Sequence, residues 1–225
     1  MATERKIVVQ TLTHTGLFIN GVNRGNLSRL ALRSQDGLIL SDATVAALEA
    51  GTWHLSATVT NRVLTPINGD DVGKLQQRAE QLTLCGDNVW VQVPVMTAGQ
   101  FNRGLIQQLL SEGVPLAVNG VASKQQAYQL LMIARDYPTP LLINLCPAIA
   151  HYDLVVSVAL AHLLPQVQVV SPAPTMADFW AGSDLQLDGM ILSPRQFAAL
   201  QFLAASASGQ TCSLRTRQQY ELVMG

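Results

Sequence analysis

The chain has 225 residues, a formal net charge of -1, 48% hydrophobic residues and only 13% charged ones. That balance permits a large buried core and argues against a polyanionic partner, so nucleic-acid binding is not expected. No apolar run reaches the roughly 18 residues needed to span a bilayer, and the opening MATERKIVV shows no signal-peptide pattern, so a cytoplasmic protein with no membrane partner is expected.

In chain order, short apolar runs predict strands at KIVVQ (6–10), GLIL (37–40), HLSATV (54–59), VWVQV (89–93), PLAV (115–118), PLLINL (140–145), VQVV (167–170) and GMIL (189–192). Helical patterns lie between them. Segment 69–84 opens with Asp70 and Asp71 and aligns Leu75, Ala79 and Leu82 on one side. Segment 99–112 puts Leu105, Ile106, Leu109 and Leu110 on one face, and 123–136 starts at a serine cap, Ser123. Residues 209–225 follow a small AASAS segment and predict a C-terminal tail helix. Eight strand–helix alternations without a linker predict one domain over 1–225, of the α/β class, closed as a single (β/α)8 TIM barrel. An open doubly wound sheet is disfavoured, because no G-x-G-x-x-G loop follows the first strand.

Cys85, Cys146 and Cys212 are odd in number and widely spaced, which favours reduced thiols over a disulfide framework or a zinc site. The absence of H-x-H or H-E-x-x-H spacing leads to no metal and no cofactor being expected. Low charge with high apolar content leaves surface to hide and points to a homo-oligomer.

Chemistry in such a barrel sits at the carboxyl ends of the strands. By this reading they deliver Gln10 and Thr11, Ser41 and Asp42, Thr58 and Thr60, then Gln92, Asn119, Asn144, Ser171 and Ser193. This ring of amides and hydroxyls with one carboxylate suits a polyhydroxylated ligand but lacks an obvious nucleophile or a matched acid/base pair. Gln92 interrupts an apolar run and must find a partner or a ligand, being either a satisfied core amide or part of a site. Strand four is expected over about Val89 to Val93, with Gln92 inward and Val91 and Val93 toward the helices. Arg195, at the start of the last barrel helix, is the best single anion anchor. The lysines are Lys6, Lys74 and Lys124, and of these only Lys124 falls at the carboxyl-end face.

VWVQVPVMTAGQFNRGLIQQLLSEGVPLAVNGVASKQQAYQLL resembles the fourth and fifth βα units of the transaldolase family, above all its fructose-6-phosphate aldolase branch. There a strand ending in K-[IV]-P-V-T precedes a helix reading L-x-x-E-G-[IV]. HLLPQVQVVSPAPTMADFWAGSDLQLDGMILSP is similar to the seventh and eighth units, so the resemblance covers about residues 53–200 and is densest over 84–130. It implies a barrel of carbohydrate metabolism that takes a sugar phosphate, with a Schiff-base lysine at the Gln92 position. An amide cannot form that base, because its nitrogen lone pair is delocalised. The implied catalytic positions are Gln92, Asp42, Asn119 and Gln10, all altered, and the substrate-binding set is Ser171, Arg195 and Thr58. INLCPAIAHYD offers no counterpart to the asparagine-arginine pair expected after strand six. The resemblance thus implies an aldolase homologue without Schiff-base activity. Two other readings stay open: a sugar-phosphate lyase or isomerase using Asp42 with His14 or His151, and a non-enzymatic, partner-binding scaffold.

Overall fold

The computed structural model describes residues 16–27, 30, 36–55 and 59–207. Eight parallel strands close into a barrel: β1 (Gly16–Val22), β2 (Gly37–Leu40), β3 (Arg62–Pro66), β4 (Val89–Pro94), β5 (Leu116–Val121), β6 (Leu141–Leu145), β7 (Val167–Pro172) and β8 (Gly189–Leu192). Each strand pairs with its sequence neighbours, and β8 closes on β1 through Gly16↔Gly189 and Phe18↔Ile191. From β2 onward every strand is followed by a helix: α1 (Asp42–Glu49), α2 (Val72–Thr83), α3 (Arg103–Ser111), α4 (Lys124–Ala134), α5 (His151–Ala161), α6 (Met176–Asp184) and α7 (Pro194–Ala207). This is the single α/β TIM barrel that the alternation predicts.

Two strands differ from the expectation. The first is GLFINGV, whose glycines and Asn-Gly pair read as a turn in isolation; KIVVQ and the predicted tail helix over 209–225 lie outside the described residues. The third is RVLTP, not HLSATV, whose described residues at 54, 55 and 59 are irregular. HLSATV alternates apolar and polar residues as a half-exposed strand does, whereas a barrel strand is covered on both faces and needs the continuous Val63-Leu64 core of RVLTP. Pro66, at the strand's last position, hides that run from a propensity reading.

Alternation along the strands sends one residue from each into a central plug: Phe18, Ile39, Leu64, Trp90, Ala117, Leu142, Val170 and Ile191. On the opposite pleat Val91, Val93, Leu116 and Val118 are fully buried against the helices. Beneath the plug, the Arg62 guanidinium lies 4.9 Å from the Trp90 ring centroid and donates to Gln168 Oε1 across the barrel axis. Phe18 fills the other side of the floor, where a Cβ at Gly37 would stand 2.5 Å from its ring and one at Gly189 2.8 Å.

The helices are fixed by local chemistry the sequence displays. Asp71 caps α2 by accepting from Gly73 N and Lys74 N, Ser123 caps α4, and Thr175 with Asp178 forms a capping box on α6. Arg78 forks onto Glu49 at 2.7 and 3.2 Å, joining α2 to α1. On α5, Tyr152, Val155 and Leu163 just beyond it are exposed, so its outer side is apolar where a surface helix normally carries charge. No helix among the described residues is long and apolar enough to cross a membrane.

The floor geometry makes a test. Gly37→Ala places a methyl inside the Phe18 ring contact and is expected to lower stability by about 1–3 kcal/mol, the usual cost of overpacking. Thermal unfolding checks this, and Phe18→Leu in the Gly37→Ala background is expected to restore part of the loss, since two residues in contact are coupled.

Candidate functional site

Two residues beyond each plug position the strands reach the carboxyl-end mouth, where the pleat again points inward. There a cavity of about 400 Å³ is lined by Asn20, Leu40, Ser41, Asp42, Pro66, Gln92, Asn119, Asn144 and Pro172, above Ile39 and Ile191. Four carboxamides therefore meet over an apolar floor.

β1 and β5, on opposite sides of the barrel, deliver their amides in the same way. FINGV (18–22) and AVNGV (117–121) each place an inward plug residue, then an asparagine, then a glycine at φ +75° (Gly21) or +81° (Gly120). Only glycine takes that conformation without strain. The pairing register shifts at both points, and beyond the bulge Val22 O accepts from Ser41 N and Val121 O from Cys146 N, each at 2.8 Å. The bulges thus turn Asn20 and Asn119 onto the rim from facing walls.

Asn144 Nδ2 donates to Asn119 Oδ1 at 2.8 Å. Asn144 is only 5% exposed, and its Oδ1 is buried with no hydrogen-bond partner among the described residues. Gln92 is 4% exposed and faces the cavity, and its carboxamide bonds to no described residue. Asp42 opens α1 at the rim; its carboxylate has no hydrogen-bond or ion-pair partner among the described residues, while the neighbouring Ser41 hydroxyl pairs with Thr44 Oγ1 at 2.9 Å. A hairpin of Met96–Thr97 with Gln100–Phe101 follows β4. Buried Asn102 pins it, donating to Pro94 O at 2.8 Å and Thr97 Oγ1 at 2.7 Å.

Of the residues singled out in the sequence, Gln92, Asp42, Asn119, Asn144 and Ser41 come together here. Gln10, Thr11, His14 and Thr58 lie outside the described residues, and Thr60 sits in the irregular segment before β3. Ser171 is corrected: it follows inward Val170, so its side chain faces the helices. It lines a slot of about 210 Å³ between α5 and α6, with His151 and Asp178. Arg195 is corrected as well, being exposed in the first turn of α7 and absent from the mouth lining. Lys124 stands at the correct end, but its ammonium is held in the outer layer, 3.6 Å from Asp153 Oδ1 and 4.3 Å from the Tyr152 ring centroid. Lys74 is exposed on α2.

Away from the mouth, a cavity of about 440 Å³ near the ends of α1 and α2 is lined by Leu48, Glu49, His54 and Cys85, among others. Burial, and secondarily the Glu49 carboxylate, push the Cys85 thiol above its ordinary range, the opposite of what a nucleophile needs. Among the described residues no group of three or more His, Cys, Asp or Glu is placed to hold a metal ion.

Asn20 is the mouth residue that the sequence pattern hides, because the apolar run at 6–10 reads as strand one. The repeated Asn-Gly-Val, once on a run already read as a strand, was the signal that would have found it.

No family profile matches the chain, and no curated protein sequence does. Solved structures do. A monomeric variant of dihydrodipicolinate synthase superposes with a TM-score of 0.59 at 17% identity, over 93% of this chain and 78% of that one. A protein of the dihydrodipicolinate synthase family from Coccidioides immitis gives 0.57 at 14% identity, over 94% of both chains. At such identity the likeness establishes the shared barrel. It overturns the transaldolase resemblance, and with it the assignment to sugar-phosphate metabolism. The motifs that carried that resemblance, an apolar strand and a helix ending in Glu-Gly before the next strand, are what any βα unit needs, with Gly113 at φ +77° closing α3.

With no lysine lining the mouth among the described residues, incubation with dihydroxyacetone and borohydride is expected to leave the intact mass unchanged. A reduced adduct mapped by peptide mass spectrometry to any lysine would contradict the site as drawn.

Proposed function

We propose that the carboxyl-end mouth binds a small polar molecule without a covalent bond, and that Asp42 is the group able to move a proton there. The observation that carries this reading is the buried Asn144 Oδ1, without a hydrogen-bond partner among the described residues, at a cavity that the unpartnered Gln92 carboxamide also lines. A buried acceptor left unsatisfied costs roughly 1–3 kcal/mol, and a ligand donor over Asn144 offsets that cost. The neighbouring structures being described as synthases supports the mouth as the working end of the barrel. Reaction by covalent capture of a carbonyl has no support from the lining, so the chemistry proposed is binding and proton transfer by non-covalent groups.

The free thiols Cys85 and Cys146 fit a reducing, cytoplasmic setting. The exposed apolar side of α5 supports self-association as part of the same proposal.

The test is a thermal-shift screen of small polar metabolites against the wild type, Asn144→Leu and Gln92→Leu. A ligand present at about a hundredfold its Kd contributes about 2.7 kcal/mol and raises Tm by several degrees. That shift is expected in the wild type and lost in both variants. Asn144→Leu alone is expected to be as stable as the wild type or more so, because it removes an unsatisfied buried acceptor. Ligand shifts that persist in both variants would place binding elsewhere.

A further inference from the structure

The charge of the mouth carries the functional reading one step further. Among its described lining residues there is no lysine, arginine or histidine, and the single formal charge is Asp42. The anion anchor expected from sequence, Arg195, is elsewhere, on the exposed start of α7, and Ser171 lies in the slot between α5 and α6. The amino end of α1 also opens on the rim and by itself favours an anion. Asp42 already occupies the first turn of that helix and supplies the negative charge its dipole favours.

Hydrogen-bonding capacity points the same way. Asn144 spends its amino group on Asn119, which leaves its Oδ1 buried without a donor among the described residues. The Asp42 carboxylate likewise offers only acceptors, and it meets no donor among the described residues. A carboxylate or phosphate ligand would set oxygen against oxygen at both positions. A nitrogen group carrying several N–H bonds answers both, while the Gln92 carboxamide can accept from it or donate to a neighbouring oxygen on the ligand.

Resting on the binding reading above, we propose that the ligand of this mouth carries an ammonium or amidinium group, its N–H bonds directed at Asn144 Oδ1 and its charge toward Asp42. Anionic ligands are thereby selected against. The apolar floor of Ile39 and Ile191 receives the carbon part of the same molecule.

Benzamidinium, benzamide and benzoate share one planar shape and differ in charge, so they serve as probes. Each is titrated into the 15N-labelled full chain at low salt, with the backbone amides of Ile39, Gln92 and Asn144 as reporters. The expected order of affinity is benzamidinium, then benzamide, then benzoate. Because Asp42 is exposed, the first gap is expected to be about fivefold, the size of a solvent-screened ion pair. It is expected to close in Asp42→Asn and to shrink with added salt. Benzoate binding as tightly as benzamidinium at these reporters overturns the charge inference and leaves the binding reading standing. A cation preference unchanged in Asp42→Asn overturns it too. If none of the three probes moves the mouth reporters, both readings fall.

Discussion

Closing eight parallel strands into a barrel forces every second residue of every strand inward, and that constraint decides both where this protein is dry and where it is polar. One inward position per strand makes the plug from Phe18 round to Ile191. The next inward position, two residues on, makes the mouth. A strand slipped by one residue would bring Val91 and Val93 into the lumen and push Gln92 among the helices, losing the apolar contacts of two fully buried valines and burying an amide without a cavity to face. The register of β4 is therefore set by the core, and the site comes with it.

The mouth is held in place by what it does not share with the core. Asn20 and Asn119 are carried by bulges that need glycine at the following residue, and Asn144 is oriented by its bond to Asn119. Gln92 and Asn144 are more than nine-tenths buried, and Asn144 Oδ1 has lost water without gaining a donor among the described residues. A barrel selected for stability alone has apolar residues at such positions. Their polarity fits the general rule that strain and unsatisfied groups collect at working sites, where binding rather than folding satisfies them.

Much of this was legible in the sequence. Continuous apolar runs located the strands buried on both faces, from GLIL at 37–40 to GMIL at 189–192, and the helix faces of 69–84 and 99–112 were marked by apolar spacing. Counting to the end of each correctly placed strand delivered Asp42, Gln92, Asn119 and Asn144. What failed did so for local reasons. RVLTP ends in proline and GLFINGV is punctuated by glycine, so both read as turns, while HLSATV mimicked a strand by alternation. Whether a strand-end side chain faces the lumen or the helices depends on pleat, and Ser171 was misplaced for that reason, one residue past inward Val170. Family likeness misled because βα units share their strand, turn and helix signals whatever chemistry sits above them.

The central claim is that the buried Asn144 Oδ1 and the unpartnered Gln92 carboxamide of the mouth are completed by a small molecule held through hydrogen bonds. A crystal structure of the purified chain, with the mouth refined for bound density, measures it directly. The account predicts a molecule with a donor about 2.7–3.2 Å from Asn144 Oδ1 and a second polar contact to Gln92, with no covalent link to the protein. A mouth filled by apolar side chains of the chain itself, with Asn144 Oδ1 bonded to a protein donor, would contradict it.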